Sequence, residues 1–183
     1  MVIFLMRGIN IGGHHKIKME ALRGLCESLG MTEVQTYIQS GNVVCRAGKR
    51  SPDTLSRQLE DAIETHSGFR PSVVARTAAE LRAVIERNPF EGRSDVAPNH
   101  LGVSFLAADP GDTARDKVRA LDVAPEELHI TGREMYIHFP NGMGQSKLPL
   151  TAIERALKTQ GTVRNWNTVE KLMQMADDAL KGG

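Results

Sequence analysis

Over its first 76 residues the chain switches repeatedly between apolar residues at strand spacing and apolar residues at helical spacing, and that alternation leaves few folds open. Val2 to Met6 is continuously apolar and breaks at Arg7-Gly8, as expected of a buried strand feeding a loop from Gly8 to His15. Met19, Leu22, Leu25, Cys26 and Leu29 then share one helical face, with Gly30 placed for a left-handed C-terminal cap. Val34, Thr36 and Ile38 alternate, Ser40-Gly41 supplies turn chemistry, and Val43 to Cys45 resumes an extended run, which reads as a hairpin. Ser51-Pro52 offers an N-cap followed by proline at the first helical position, ahead of Leu55, Leu59, Ala62 and Ile63; this helix should end near Gly68. Pro71 to Arg76 supplies a fourth strand. The order is β-α-β-β-α-β, the ferredoxin-like pattern.

The order then returns. Thr77 and Glu80 form a capping box for a connecting helix carrying Leu81, Val84 and Ile85, closed by Asn88-Pro89, and Pro89 to His100 is polar and irregular. Beyond it the pattern predicts a strand over Leu101–Ala107 and a helix near Thr113–Leu121. A hairpin of Leu128–Ile130 with Met135–Phe139 and a helix from about Pro149 to Lys158 follow. The repeat depends on a short fourth strand, Thr162–Arg164. Asn167 and Glu170 are expected to cap a last helix presenting Val169, Leu172, Met173 and Ala176. The expected fold is α+β, with duplicated ferredoxin-like (split βαβ) units, an extra connecting helix and a C-terminal helix. The first unit is 1–76, the connecting helix and linker 77–100, and the second unit with the last helix 101–183, all able to form one compact domain. The halves share element order and no alignable identity.

At 183 residues the chain buries enough apolar surface to need no staples. Its formal net charge of +1, from 23 Lys+Arg against 22 Asp+Glu, gives no whole-molecule field toward nucleic acid or an anionic membrane, so any anion site must be local. Cys26 and Cys45 lie in apolar segments without Cys-x-x-Cys spacing and are expected as reduced core residues. The opening run, Met1 to Arg7, is too short for a signal peptide and has no basic leader, and no stretch reaches the roughly 18 apolar residues of a membrane helix. A cytoplasmic protein is expected.

Three stretches differ from ordinary loop filler: Arg7-Gly8-Ile9-Asn10-Ile11-Gly12-Gly13, Ile38-Gln39-Ser40-Gly41-Asn42-Val43, and Arg164-Asn165-Trp166-Asn167-Thr168-Val169-Glu170-Lys171-Leu172. Together they resemble the bacterial domain-of-unknown-function family 1697, marked by an RGIN-(I/V)-GG loop after the first strand, an (I/L)QSGN hairpin and a closing RNWNTV-x-KL segment. The resemblance runs from residue 2 to about residue 175. It implies a duplicated ferredoxin-like protein and no particular activity. This chain departs from it at His14-His15, where relatives tend to carry Lys or Asn; a ligand there would bind with a pH dependence, since an unperturbed imidazole titrates near about pH 6.5.

A glycine-rich loop between strand and helix can gather backbone N–H groups for an anion, with Arg7 adding charge. Alternatively Gly8, Gly12 and Gly13 only permit positive φ while Asn10 bonds backbone. The spacing matches neither a dinucleotide fingerprint nor a P-loop. Asn141-Gly142-Met143-Gly144-Gln145-Ser146-Lys147 has the composition of a phosphate or carboxylate loop, or is a plain loop with a solvated lysine. Arg164, Asn165 and Asn167 around Trp166 could grip a planar or anionic group; equally, Trp166 anchors the last helix, Asn167 caps it and Arg164 meets a carboxylate. Gln39, Ser40 and Asn42 either join a site or close the hairpin.

The candidate ligand set is therefore Arg7, Asn10, Gly12, Gly13, Ser40, Asn42, Ser146, Lys147, Arg164, Asn165 and Asn167. It would hold a small phosphate- or carboxylate-bearing ligand at a seam between the halves. No catalytic residue, cofactor or metal is assigned: the signature loops lack Asp and Glu before Glu170, Ser40 has no evident base, and adjacent His14-His15 do not share a helix face. His66, His100, His129 and His138 are scattered and read as surface or satisfied core residues. One alternative is an RNA-binding module, against which stand 4% aromatic residues and near-neutral charge. The other is a homo-oligomeric interaction protein with no ligand. Alanine at Arg7 and Arg164 should abolish protection by phosphate or nucleotide in a thermal-shift screen; unchanged shifts would make both residues structural.

Overall fold

In the computed structural model, which describes residues 1–182, the apolar run after Met1 becomes strand β1 (Val2–Arg7). It lies between two neighbours in a four-stranded antiparallel sheet ordered β2-β3-β1-β4. The others are β2 (Thr32–Tyr37), β3 (Asn42–Arg46) and β4 (Ser72–Thr77). A strand buried on both faces has no polar side to present, so β1 is apolar throughout rather than alternating. Phe4 and Met6 join a core closed by Leu22 and Cys26 of α1 (Met19–Ser28) and by Leu55, Leu59 and Ile63 of α2 (Pro52–Ser67). On the other face Ile3 and Leu5 are equally inaccessible. Each such side chain contributes roughly 1.5–3 kcal/mol on leaving water.

Helix ends follow the expected chemistry with local exceptions. Gly68 closes α2 at φ 74°, its N–H donating to the Glu64 carbonyl. Ser51 occupies the N-cap position of α2, yet its side chain makes no capping bond. Thr77 and Glu80 form the reciprocal capping box expected at the start of α3 (Ala78–Glu86): the Glu80 N–H donates to Thr77 Oγ1 at 3.1 Å, and the Thr77 N–H donates to Glu80 Oε2 at 2.7 Å.

The described residues divide into two compact units, one of Met1–Ala83 with the chain from Lys171 on, the other of Val84–Glu170. The second has its own four-stranded antiparallel sheet, ordered β6-β7-β5-β8, from β5 (Leu101–Leu106), β6 (Glu127–Thr131), β7 (Glu134–His138) and β8 (Gly161–Asn165). Helices α4 (Asp112–Arg119) and α5 (Leu150–Leu157) close a core of Leu106, Val118, Ile130, Met135, Ile137, Phe139, Ile153 and Leu157. The short strand on which the element order turned is present, paired with β5 from Gly102↔Asn165 to Leu106↔Gly161. Gly161 is required there, because a Cβ would lie 2.4 Å from Ser104 Oγ and 3.3 Å from the Phe105 carbonyl oxygen.

Helix α6 (Trp166–Lys181) begins earlier than its sequence implies. The cap is Asn165, whose Oδ1 accepts the Thr168 N–H at 2.8 Å, while Asn167 is already exposed inside the helix. In place of the expected Asn167–Glu170 box there is a single cap two residues earlier, at Asn165. Glu170 instead accepts the indole N–H of the buried Trp166 at 3.0 Å. Among the described residues the fold is mixed α+β, with two four-stranded antiparallel sheets and six α-helices, none long and apolar enough to cross a membrane. Both cysteines are free and buried, and burial pushes the thiols up, Cys26 to about 12 and Cys45 to about 11.

The irregular stretch after α3 is tied down within the second unit. Phe90 is buried edge-on to His129, and Arg93 forks onto both Glu127 oxygens at 2.7 and 2.9 Å. The Tyr136 hydroxyl donates to the Val84 carbonyl at 2.8 Å. Hydrogen bonds from Arg93, and then from His138, pull the Glu127 carboxyl from its ordinary 4.5 to about 2. A carboxyl depressed by folding contributes stability that is complete above its unfolded value and lost as pH falls through its folded one. Glu127→Gln should therefore be less stable than the parent in urea above about pH 4.5, and the difference should vanish toward about pH 2. A pH-independent difference would mean that the carboxylate charge is not what matters.

Candidate functional site

The loop after β1 is built by its own hydrogen bonds. The Asn10 N–H donates to the His15 carbonyl at 3.0 Å and the His14 N–H to the Ile11 carbonyl at 2.9 Å, which closes a tight turn over Gly12 and Gly13. Both glycines have positive φ, 56° and 84°, which two successive side-chain-bearing residues would adopt only at a cost. The Asn10 carboxamide then makes three bonds at once. Its Nδ2 donates to the Ile17 carbonyl at 3.0 Å and the Gln39 carbonyl at 2.8 Å, and its Oδ1 accepts the Ile17 N–H at 2.9 Å. Asn10 sits at φ 53°, a conformation asparagine tolerates better than most. The His15 ring stacks on Phe69 at 4.7 Å, with Nδ1 3.0 Å from the Gly8 carbonyl oxygen.

The hairpin between β2 and β3 meets this loop closely. A Cβ on Gly41 would lie 2.4 Å from Ile9 Cδ1 and 2.9 Å from Met6 Cβ, and the Met6 N–H donates to the Gly41 carbonyl at 2.9 Å. Asn42, fully buried, donates from its carboxamide to the Tyr37 carbonyl at 2.9 Å and to Ser40 Oγ at 3.1 Å. The two signature segments of this unit are thus complementary surfaces.

Beside them opens a cleft of about 730 Å³, lined by Asn10, Gly13, Lys16, Ile17, Lys18, Met19, Ala21, Gln39, His66 and Ser67. No lining residue is acidic, whereas Lys16, Lys18 and His66 are all exposed. Lys18 is the N-cap residue of α1 and makes no side-chain capping bond, so the first N–H groups of that helix take no cap from it. Glu20, exposed in the first turn, offsets part of this positive character. Among the described residues no group of three or more His, Cys, Asp or Glu could hold a metal ion.

The sequence-derived residues divide between the units. Arg7, Asn10, Gly12, Gly13, Ser40 and Asn42 lie in the first; of these, Asn10 and Gly13 line the cleft, and Arg7 ends β1 opposite Ser72 of β4. Ser146, Lys147, Arg164, Asn165 and Asn167 lie in the second. Ser146 donates to Glu126 at 2.5 Å and accepts the Leu148 N–H at 3.1 Å, and Lys147 is exposed. Arg164 is buried on β8, its guanidinium donating to Thr162 Oγ1 at 2.7 Å and the Val163 carbonyl at 2.9 Å; burial pushes its pKa down to about 10. Lys16, Lys18 and His66 were not singled out by sequence reasoning. The available signal was two lysines flanking an apolar residue immediately before a helix.

A family model described as a protein of unknown function (DUF1697) matches residues 1–136. No curated protein matches the chain. Among solved structures, the conserved bacterial protein SP0830 from Streptococcus pneumoniae is similar, at 26% identity and a TM-score of 0.74, over 96% of this chain and 97% of that one.

Asn10→Ala removes three hydrogen bonds, two of them to partly buried backbone, and should cost roughly 2–4 kcal/mol in chemical denaturation. Gly41→Ala, facing the Ile9 and Met6 contacts and a positive φ, should cost at least roughly 1–3 kcal/mol. Stabilities within about 0.5 kcal/mol of the parent would show that the loop and hairpin do not depend on this junction.

Proposed function

This chain belongs to the family of proteins of unknown function DUF1697, and we propose that it is a duplicated ferredoxin-like protein whose first unit binds a small phosphate- or carboxylate-bearing ligand in the cleft beside α1. The duplicated reading is supported by the β-α-β-β-α-β element order in both units and by the matching strand orders β2-β3-β1-β4 and β6-β7-β5-β8.

The observation that carries the ligand reading is the cleft's charge asymmetry: two exposed lysines and a histidine among its lining residues, and no carboxylate. Lysine holds phosphate or carboxylate as a flexible point charge, and the Gln39 side chain beside it suits orientation by hydrogen bonding, whereas the Asn10 donors are already spent on the Ile17 and Gln39 carbonyls. In this reading the glycine turn and the Asn10 bonds form the scaffold on which the lysine-bearing segment stands. Arg7, Gly12, Ser40 and Asn42 belong to that scaffold, while Asn10 and Gly13 also face the ligand.

The second unit gives less support. An anion at Ser146 and Lys147 would approach the Glu126 carboxylate already bonded to Ser146, and like charge opposes it. Arg164 is buried and hydrogen-bonded, and Asn165 is occupied as a helix cap. The RNA reading would want an open sheet face on which bases could stack. Ile3, Leu5, Val44 and Val74 in one sheet, and Val103 and Tyr136 in the other, are buried instead. The reading is of a binding site, and no reaction is assigned to it.

Phosphate should raise the melting temperature of the parent in a concentration-dependent way, as any ligand of the native state must. In Lys16→Ala/Lys18→Ala that protection should fall at least tenfold in apparent affinity, with the melting temperature in ligand-free buffer unchanged because both side chains are exposed. Equal protection of parent and double variant would remove the site from this cleft.

A further inference from the structure

We propose that the ligand of this cleft is an amphipathic anion, with an alkyl chain or ring of several carbons beside its phosphate or carboxylate; this rests on the anion reading above and extends it to the rest of the molecule bound. The cleft is larger than an inorganic anion needs, at about 730 Å³, and beyond the lysines its lining includes the half-buried Met19 and Ala21 with the buried Ile17. Those side chains offer a phosphate or a carboxylate nothing. They suit a hydrocarbon.

The chain's exposed large hydrophobics point the same way. Ile11 is 66% exposed and Ile38 49%, two of the four such residues among those described. Neither lines the cleft itself: they occupy the two loops joined by the Asn10–Gln39 hydrogen bond, each one residue from a lining residue, outside the cleft. A single exposed isoleucine is ordinary. Two on loops bonded to each other, next to a lysine-bearing cleft with apolar residues in its lining, make a surface that a nonpolar tail would cover while its head group stays on Lys16 and Lys18. The ordering is that of most small-molecule sites, mainly apolar contact with a few polar groups setting orientation.

The test holds the head group constant and varies the tail. Calorimetric titration would compare methyl phosphate with hexyl phosphate, and acetate with hexanoate, against the full chain, with hexanol as the uncharged control. A fully buried methylene is worth about fourfold in affinity, so partial burial of a six-carbon chain should give at least a tenfold gain over the one-carbon head group in whichever series binds. The phosphate and carboxylate arms identify which head group the cleft takes. Ile11→Ser/Ile38→Ser should erase most of that gain and leave the short ligand's affinity unchanged. Both positions are exposed, so the variant should stay folded; its melting temperature checks this.

If the short ligand binds and the long one binds no more tightly, the tail is refuted while the anion site stands. If the gain survives in the isoleucine double variant, these loops are not where the tail lies, and the proposal fails. Binding of neither series overturns both readings. Hexanol binding as tightly as the hexyl anions would reduce the cleft to an apolar patch, which also overturns the proposal.

Discussion

Most of the first unit's loop architecture depends on one side chain. The Asn10 carboxamide spends its donors on the Ile17 and Gln39 carbonyls and its acceptor on the Ile17 N–H, bonding the segment after β1 to itself and to the β2–β3 hairpin at one point. An amide can do this because it carries donor and acceptor on one planar group; a carboxylate would have no proton for either carbonyl. The result sets the path of residues 11–18, and so where Lys16 and Lys18 emerge beside the start of α1.

The same junction explains why two short segments, distant in sequence, have such restricted composition. Gly41 must lack a side chain because Ile9 and Met6 occupy that space, and Gly12-Gly13 must turn at positive φ for the Ile11–His14 bridge to close. Asn42 is buried and satisfied by Tyr37 and Ser40, so its polarity is compensated inside the hairpin. In the second unit Arg164 and Glu127 are treated oppositely. Burial lowers the basicity of the arginine, whereas Arg93 and His138 stabilise the charged form of the glutamate at a half-open surface. These residues answer structural demands first; the cations that line the first unit's cleft are Lys16 and Lys18.

Elements whose signal is periodic were legible. The continuous run in β1, the one-faced pattern of α1 and α2, and the Thr77–Glu80 box all took the form their spacing implied, because burial and capping read local sequence directly. Even the short strand expected over Thr162–Arg164 was readable, and the five residues observed, Gly161–Asn165, stand as a strand only through pairing with β5. The start of α6 was misread, since both Asn165 and Asn167 have capping chemistry and only the chain's entry angle chooses between them. At the candidate site, the sequence drew attention to glycines, asparagines and arginines, whereas the cleft is lined by Lys16, Lys18 and His66 as well. The one local signal of the lysines, one on each side of Ile17 just before α1, is as common on a solvated surface as in a site.

By itself the sequence determined the α+β class and the element order, because each follows from interactions among residues a few positions apart. Only the tertiary structure decided that the loop after β1 and the hairpin share the Asn10 bond, and that residues from the loop, from α1 and from the end of α2 enclose one cleft. Those choices depend on contacts across dozens of residues, whose geometry is settled when the sheet and its helices pack, and no local pattern encodes them.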